Sequence, residues 1–487
     1  MNRPTEAEPQ LSHLRSLDES YLEFERRSRR IFAIHPQLEP SRYYIFRDLL
    51  IGKTPLDRTG LAKRFLRPIL RRGRTLGDLN PSRVLVVVES QREVIVDAMV
   101  PLYQDLASRG VDVRLVSSGG PEGLPEPSVK VGFVPHGFSP SWAARSWRDL
   151  CETFPELRDA GLARSFYSQC AANEGLLAEV GRILERTRPE LVLIASAQLS
   201  VGAAFAVACR LRGVKTVLLQ HGMLQPFYIP VITDRMLTWG ESSSDTLAGL
   251  GVARERLIAL GSPRHDFICP SGDGSARAVL LRSLSLPDRP TFVFFSNGND
   301  LVRNGSAPLE SARWLEAVAA EYSNQVNVVV HLHPNEDGSL YRDCHRLTIS
   351  KGSPPLTVLL EGADFVGSLC STVLYDALLF RKPVWQFHAE GWPELANNWR
   401  QGLAERVGSK AELKKLIEEA LQGRRKAIGE RQVRSVFANH GRSTQVVADF
   451  VQRELSREVA SGPFEEAPTS TGVAGASQMA LDGRRVH

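Results

Sequence analysis

Short, uniformly apolar runs alternate with longer helical patterns through most of this 487-residue chain. The first runs are RVLVVVES (83–90), VDVRLVSS (111–118), ELVLIAS (190–196) and VKTVLLQ (214–220), with helical patterns between them. Strand, helix and strand at this spacing predict βαβ units with a parallel sheet. Because the strands are apolar throughout, we expect helices to cover both faces of that sheet.

A second series of the same kind begins at residue 290. It predicts strands over 291–295 (TFVFF), 326–333 (VNVVVHLH), 357–361 (TVLLE) and 383–387 (PVWQF), and a helix over 409–421. Ser409 and Glu412 form a capping box at the start of that helix. The sequence therefore predicts an α/β protein with two Rossmann-like domains that face a central cleft.

Composition sets the predicted boundaries of these domains. We expect a basic N-terminal extension at 1–80, a first Rossmann-like domain at 81–265 and a second at 266–456. The tail at 457–487 has the composition of a disordered segment.

Several classes of protein are excluded by composition and charge. No apolar run approaches the roughly 18–20 residues of a membrane-spanning helix, and the first residues lack the pattern of a secretory signal. The six cysteines are scattered, as in a reduced protein. A net charge of +5 is too small to imply a nucleic-acid partner. We expect a cytoplasmic protein.

Basic residues are concentrated at 26–74, where KRFLRPILRRGR (63–74) interleaves them with aliphatic residues. Such a segment can lie on an anionic membrane surface, which would make the protein peripheral on the cytoplasmic face of the cell membrane. A solvated helix with one face on the protein core is an equally good interpretation, and Pro68 interrupts the pattern.

Ligands of open α/β sheets bind beyond the carboxyl ends of the strands, so the residues there are the candidates for a site. Gln220, His221 and Gly222 directly follow one strand. An imidazole beside a glycine at that place can act as a general base. A structural histidine is the alternative interpretation.

His331, His333 and Pro334 end another predicted strand. Alternation places both histidines on one face, and the proline ends the ladder, so His333 can donate to a phosphate oxygen at the mouth of the strand. Two histidines at this spacing could also ligate a metal, but we expect none.

Hydroxyl and amide groups follow two further strands. Ser371 and Thr372 open a predicted helix, where hydroxyls and free backbone N–H groups can bind a phosphate or form an ordinary helix cap. Asn297 and Gly298 lie in a loop that could approach a phosphate closely. The sequence contains no P-loop, HExxH, GxGxxG or GxSxG motif.

Four segments carry a resemblance to a known group of enzymes. They are QHGM (220–223), GSPRHD (261–266), HLHP (331–334) and ADFVGSLCSTVLYD (363–376). In order and spacing, over roughly residues 190–390, they resemble the GT-B-type transferases of bacterial surface-polysaccharide assembly. The likeness is strongest to the group of CDP-glycerol glycerophosphotransferases and capsule-polysaccharide enzymes with a His-Pro motif.

The resemblance implies roles for individual residues. His221 would deprotonate an acceptor hydroxyl, His333 would donate to the nucleotide phosphates, and Ser371 and Thr372 would hold those phosphates. The remaining residues would support the site or the domain boundary: Arg264, Asp266 and Asp376.

Two positions depart from the pattern of that group. His331 stands where the group usually has Lys or Arg, and Leu369 stands where the glycerophosphotransferases tend to have Asp. The identity of the donor is therefore left open.

The resemblance implies transfer of a sugar, or of glycerol phosphate, from a nucleotide-linked donor, such as a CMP- or CDP-linked one. The acceptor, bound by the domain at 81–265, would be a cell-surface polysaccharide or its lipid-linked precursor, and the domain at 266–456 would bind the nucleotide donor. Because the nucleotide is a good leaving group, we expect no cofactor. Two alternatives are an epimerase of the UDP-N-acetylglucosamine 2-epimerase type and a non-catalytic GT-B-like subunit of a polysaccharide assembly complex.

Overall fold

The structure is a computed structural model. It describes residues 17–52, 79–89, 93–117, 124–125, 128–131, 140–198, 200–272, 274–297, 307–388, 398–424 and 428–456. Gly298, the entire basic run at 63–74 and the predicted disordered tail lie outside these residues.

The first sheet contains seven parallel strands. They are β1 (Val84–Val88), β2 (Val113–Ser117), β3 (Ser128–Lys130), β4 (Leu191–Ile194), β5 (Lys215–Leu219), β6 (Arg235–Thr238) and β7 (Leu257–Ala259), in the order β3-β2-β1-β4-β5-β6-β7. The strand order reverses between β1 and β4, which is where parallel sheets of this kind bind ligands.

The second sheet contains six parallel strands. They are β8 (Thr291–Phe295), β9 (Asn327–His331), β10 (Thr348–Ser350), β11 (Phe365–Ser368), β12 (Val384–Phe387) and β13 (Glu405–Val407), in the order β10-β9-β8-β11-β12-β13. The prediction of two Rossmann-like sheets is confirmed, and the reversal here lies between β8 and β11.

Helices cover both sheets. They are α1 (Leu17–Ile34), α2 (Arg42–Tyr44), α3 (Glu93–Ser108), α4 (Pro140–Thr153), α5 (Ala160–Thr187), α6 (Ser200–Arg210), α7 (Glu241–Gly249), α8 (Ser275–Ser283), α9 (Ala307–Glu321), α10 (Leu356–Gly362), α11 (Val373–Leu379), α12 (Lys410–Leu421), α13 (Glu430–Val436) and α14 (Ser443–Ser456). None of the helices within the described ranges is long and apolar enough to cross a membrane.

The predicted strand at 357–361 is wrong, because these residues form helix α10. The edge strand of the second sheet is instead β10, which lies about ten residues earlier in the chain. A five-residue apolar run is ambiguous between a buried strand and a buried helix. Here the adjacent Leu359 and Leu360 are both buried, and Pro355 precedes the helix.

Residues 17–52 of the predicted extension form a helical layer on the first domain. Tyr21, Phe24 and Phe46 are buried with residues of α4 and α5 in one aromatic cluster. A 3-10 helix (Pro36–Ser41) precedes α2, and a π-helix (Ile45–Ile51) follows it. We call residues 17–52 the N-terminal layer.

Arginines of α1 are engaged within the protein. Arg26 pairs with Glu23 at 2.6 Å, and Arg29 pairs with Glu25 at 2.8 Å. Arg27 lies over the ring of Phe154. Contact of the 26–74 region with a membrane stays a prediction.

The last helix returns to the first domain. Val447, Ala448 and Val451 of α14 are buried in the same hydrophobic cluster as β1 and α3. The carboxylate of Asp266 caps this helix by accepting hydrogen bonds from the backbone of Ser443 (2.9 Å) and Thr444 (2.7 Å). The chain therefore crosses between the domains twice.

Replacing Asp266 by Ala should destabilise the protein by about 1–2 kcal/mol, because the start of α14 loses its cap. Thermal unfolding would measure the loss. Asp449→Ala is the matched control, since this carboxylate of the same helix makes an exposed ion pair with Arg109 and should contribute less than about 1 kcal/mol. An equal loss in both variants would contradict the capping role.

Candidate functional site

Trp239 joins the two domains at the end of β6. Its side-chain N–H donates to the carbonyl oxygen of Gln220 at 2.7 Å, and its backbone N–H donates to Gln220 Oε1 at 3.0 Å. The indole also contacts the rings of His265 and Tyr375, with centroids 4.7 Å and 5.6 Å away. The loop after β5 is thereby attached to helix α11 of the second domain.

Met223 makes the same connection from within the loop itself. It is buried in the hydrophobic cluster that forms the core of the second domain. The carboxyl ends of the two sheets consequently border one central cleft, with His221 on the first-domain side.

The ring of His221 is oriented by the end of β4. Its Nδ1 lies 2.6 Å from the carbonyl oxygen of Ala195 and 3.3 Å from the hydroxyl of Tyr228. A carbonyl oxygen only accepts, so Nδ1 carries the proton and the lone pair of the neutral ring is on Nε2. This tautomer can accept a proton from a hydroxyl group at Nε2.

Glu89 is a site residue that the sequence analysis missed. It directly follows β1, it is buried, and its Oε1 accepts a hydrogen bond from the backbone N–H of Ser196 at 2.9 Å. Burial raises its pKa to about 8, although hydrogen bonds from the backbone of Ser196 and Ala195 oppose the shift. Glu89 is thus a protonated acid near neutral pH.

Glu89 and His221 hold the same peptide from opposite sides. His221 donates to the carbonyl of Ala195, and Glu89 accepts from the N–H of Ser196. Gly202 of α6 packs closely against the carboxyl group of Glu89, because an added Cβ at this glycine would come within 2.3 Å of Glu89 Oε1. The sequence signal was present, because the run VVVES ends a buried strand with an acid.

His333 has the opposite tautomer to His221. Its Nδ1 accepts a hydrogen bond from the backbone N–H of Asn335 at 3.2 Å, so the proton of the neutral ring is on Nε2. Its backbone N–H donates to Ser296 Oγ at 2.7 Å and to Glu336 Oε2 at 3.0 Å. His333, followed by Pro334, is therefore a fixed donor at the end of β9.

Asn297 ties together the ends of β8 and β11. Its Oδ1 accepts from Ser368 Oγ at 2.9 Å and from the backbone N–H of Cys370 at 3.2 Å, and its Nδ2 donates to the carbonyl of Cys370. Ser371 and Thr372 follow directly and are half-buried before α11. Asn297 therefore fixes the loop that presents these two hydroxyls.

Asp376 lies one turn into α11 and is fully buried. Its Oδ1 is 2.9 Å from His265 Nε2, and its Oδ2 is 3.5 Å from Arg264 Nη2. Burial would raise the pKa of Asp376, but the charge of Arg264 and the bond to His265 outweigh it and hold the pKa below its ordinary value. This ionised carboxylate attaches α11 to the segment that joins the domains.

The ring of His331 contacts the two strands that flank β9, namely β10 and β8. Its Nδ1 is 3.0 Å from Ser350 Oγ, and its ring packs edge-on against Phe295. Burial lowers its pKa, so the ring is neutral at pH 7.

The described part of the chain contains no group of three or more His, Cys, Asp or Glu side chains that could hold a metal ion. A cavity of about 120 Å³ lies near Phe365, Val384 and Leu416 in the second domain. It opens at the amino ends of β11 and β12, so it is separate from the candidate site.

The architecture is that of a two-domain, parallel-sheet α/β protein of GT-B type, as predicted. Similar solved structures include an S. aureus MnaA–UDP co-structure (TM-score 0.52, 12% identity, 77% of this chain and 97% of that chain). UDP-GlcNAc 2-epimerase from Methanocaldococcus jannaschii is also similar, with a TM-score of 0.50 and 12% identity over 76% of this chain and 99% of that chain. A glycosyltransferase from Rickettsia africae has a TM-score of 0.51 and 11% identity over 78% of this chain and 100% of that chain.

At these identities the likeness shows the fold alone. No protein-family model matches the chain. No curated protein matches it either. The structural neighbours do not specifically favour the CDP-glycerol glycerophosphotransferases, to which the sequence motifs are similar.

Replacing Glu89 by Gln should stabilise the protein at alkaline pH. The folded-state pKa of about 8 lies above the ordinary 4.5, so the wild-type protein loses stability as the pH rises from about 4.5 to about 8. Glutamine resembles the protonated acid and does not ionise. The variant should gain a few kcal/mol relative to wild type at pH 9 and little at pH 5.

Thermal unfolding at pH 5, 7 and 9 measures this difference. Glu152→Gln, at an exposed position of the same domain, is the control and should show no such pH dependence. A constant difference between Glu89→Gln and wild type from pH 5 to 9 would mean that Glu89 is ionised throughout.

Proposed function

We propose that the protein is a GT-B enzyme that acts on a nucleotide-linked sugar and transfers the sugar to a hydroxyl group of a glycan acceptor or its lipid-linked precursor. The observation that carries this proposal is the fixed tautomer of His221, a residue at the carboxyl edge of the first sheet, in which Nδ1 carries the proton. Transfer to a hydroxyl requires a base that removes one proton from it.

The second domain supplies groups suited to the leaving nucleotide. His333, after β9, can donate from Nε2, and the hydroxyls of Ser371 and Thr372 follow β11, on the other side of β8. Negative charge builds up on the phosphate as the bond to the sugar breaks, and preorganised donors stabilise that charge. Within this proposal the proton moves from the acceptor oxygen to His221, the acceptor oxygen bonds to the sugar, and the nucleotide leaves with the bonding electron pair.

Several nucleotides are candidates for the leaving group of the donor. The motif resemblance favours a CMP- or CDP-linked donor, with glycerol phosphate as a second transferable group. The S. aureus neighbour contains UDP, which adds uridine nucleotides to the candidates. A purified-protein panel of CMP, CDP, UDP and their sugar-linked forms therefore provides the first test.

One nucleotide of the panel should bind and raise the unfolding temperature. His333→Ala should weaken its binding by about ten- to a hundredfold, as expected for the loss of a hydrogen bond to a charged group. His345→Ala, at an exposed position outside the strand ends, is the control and should bind normally. Failure of every nucleotide to bind would refute the proposal and favour a non-catalytic subunit.

An epimerase is the second candidate, and Glu89 favours it. Epimerisation needs an acid and a base near the sugar, and the protonated Glu89 and the base His221 hold one peptide between them. Among the structural neighbours named above, the M. jannaschii protein is a UDP-GlcNAc 2-epimerase and the S. aureus structure contains UDP, whereas the R. africae protein is a glycosyltransferase. A transferase needs an acceptor, whereas an epimerase changes its nucleotide sugar alone.

Turnover of the bound nucleotide sugar, with and without a glycan acceptor, separates these functions. Transfer predicts a nucleotide product that forms rapidly only with acceptor, and His221→Ala should slow it by about 10²- to 10⁴-fold while the donor still binds. An epimerised nucleotide sugar that forms without acceptor, and is lost in Glu89→Gln, would establish the second candidate instead.

A further inference from the structure

A small cavity lies between the N-terminal layer and the two loops that hold His221. It is lined by Glu39, Arg42 and Tyr43 of the layer, by Ala197 and Gln198 after β4, and by Phe227 after β5. We call it the N-terminal pocket. Its volume of about 10 Å³ is room for the centre of one water molecule or one hydroxyl group.

Arg42 is the polar group that makes this pocket unusual. The residue is only 7% exposed, and its Nε and Nη2 donate to the carboxylate of Glu39, both at 2.9 Å. Its remaining nitrogen, Nη1, is buried and has no hydrogen-bond partner in the described part of the chain. An unsatisfied buried donor of a charged group is costly, so a partner from outside the protein is favoured.

Two aromatic rings flank the same pocket. Phe227 packs edge-on against Tyr43, with centroids 4.6 Å apart, and against Tyr21, at 4.7 Å. The hydroxyl of Tyr21 donates to the carbonyl of Ile229 at 2.8 Å and so fixes the loop that carries Phe227. Tyr43 and Phe227 are half-buried, so part of each ring is accessible at the surface.

We propose that the N-terminal pocket binds one hydroxyl group of a neutral sugar unit of the acceptor, with Arg42 as the donor and Glu39 as the acceptor of hydrogen bonds. The rings of Tyr43 and Phe227 contact the apolar face of the same sugar. This inference rests on the proposed transfer to a glycan, and it assigns an acceptor subsite to the N-terminal layer.

The paired charges of Arg42 and Glu39 favour a neutral ligand in the N-terminal pocket. The guanidinium of Arg42 is already neutralised by Glu39, so a phosphate or carboxylate in the pocket would lie beside a carboxylate. A purely apolar group would leave Nη1 unsatisfied. A hydroxyl group both accepts and donates, so it suits a pocket that offers one N–H and one carboxylate.

The position of the pocket suits an acceptor. Phe227 is adjacent to Tyr228, whose hydroxyl is 3.3 Å from His221 Nδ1. Ala197 is two residues from Ala195, whose carbonyl orients the same imidazole. The pocket is therefore lined by the same two loops that orient His221, on the first-domain side of the structure.

Binding of neutral methyl glycosides to the full-length protein tests the inference without any turnover. Methyl glucoside, galactoside, mannoside and N-acetylglucosaminide are titrated by NMR, and at least one should bind. Tyr43→Ala should weaken that binding about three- to tenfold, the effect expected of one lost aromatic contact. Tyr167→Ala removes a half-buried tyrosine of the same helical region that does not line the pocket and should bind as wild type does.

Monodeoxy analogues of the bound glycoside give the sharper result. Removing the hydroxyl that enters the pocket should reduce affinity by about tenfold or more, whereas removing any other single hydroxyl should change it little. Binding of none of the glycosides, or equal losses for Tyr43→Ala and Tyr167→Ala, would overturn the inference and leave the pocket as a site for one water molecule.

The same samples are titrated with CMP, CDP and UDP. Nucleotide binding without glycoside binding would overturn the acceptor subsite and leave the proposed function standing. Glycoside binding that depends on Tyr43, without any nucleotide binding, would support the sugar site and refute the nucleotide-dependent function.

Discussion

The contacts of Trp239 set the relation between the two domains, and the cleft depends on them. Trp239, at the end of β6, donates hydrogen bonds to the backbone and to the side chain of Gln220, the residue before His221. Its ring packs against Tyr375 of α11. At 1% exposure, the indole satisfies its only donor within the protein, as a buried tryptophan must. The segment that carries His221 and the start of α11 are thereby held in place by one side chain.

Much of the fold could be predicted because each strand of a buried parallel sheet produces a local pattern in the sequence. Strands such as β1 and β8 are fully buried, so each appears as an unbroken apolar run between helical patterns. The same rule failed at 357–361, where an equally apolar run packs as helix α10. Contacts distant in the sequence, such as Asp266 with the start of α14, leave no local pattern at all.

The candidate site was predictable where a strand end displayed an unusual residue. His221 and His333 were found because each lies at the carboxyl end of a predicted apolar strand. Glu89 has the same placement but was overlooked, since a glutamate after a strand is ordinary at the surface and only the structure shows that it is buried under α6. Likewise, residues 17–52 are rich in charge, and their aromatic core becomes visible only when α1 packs against α4 and α5.

The two histidines differ in chemistry because their backbone neighbours differ. A carbonyl oxygen faces Nδ1 of His221, whereas a backbone N–H faces Nδ1 of His333. Since the backbone cannot exchange these roles, the first ring presents a lone pair at Nε2 and the second presents a proton. Under the proposed transfer, a base on one domain would serve the attacking oxygen and a donor on the other would serve the leaving group. The local backbone, more than the imidazoles themselves, therefore determines what each side of the cleft can do.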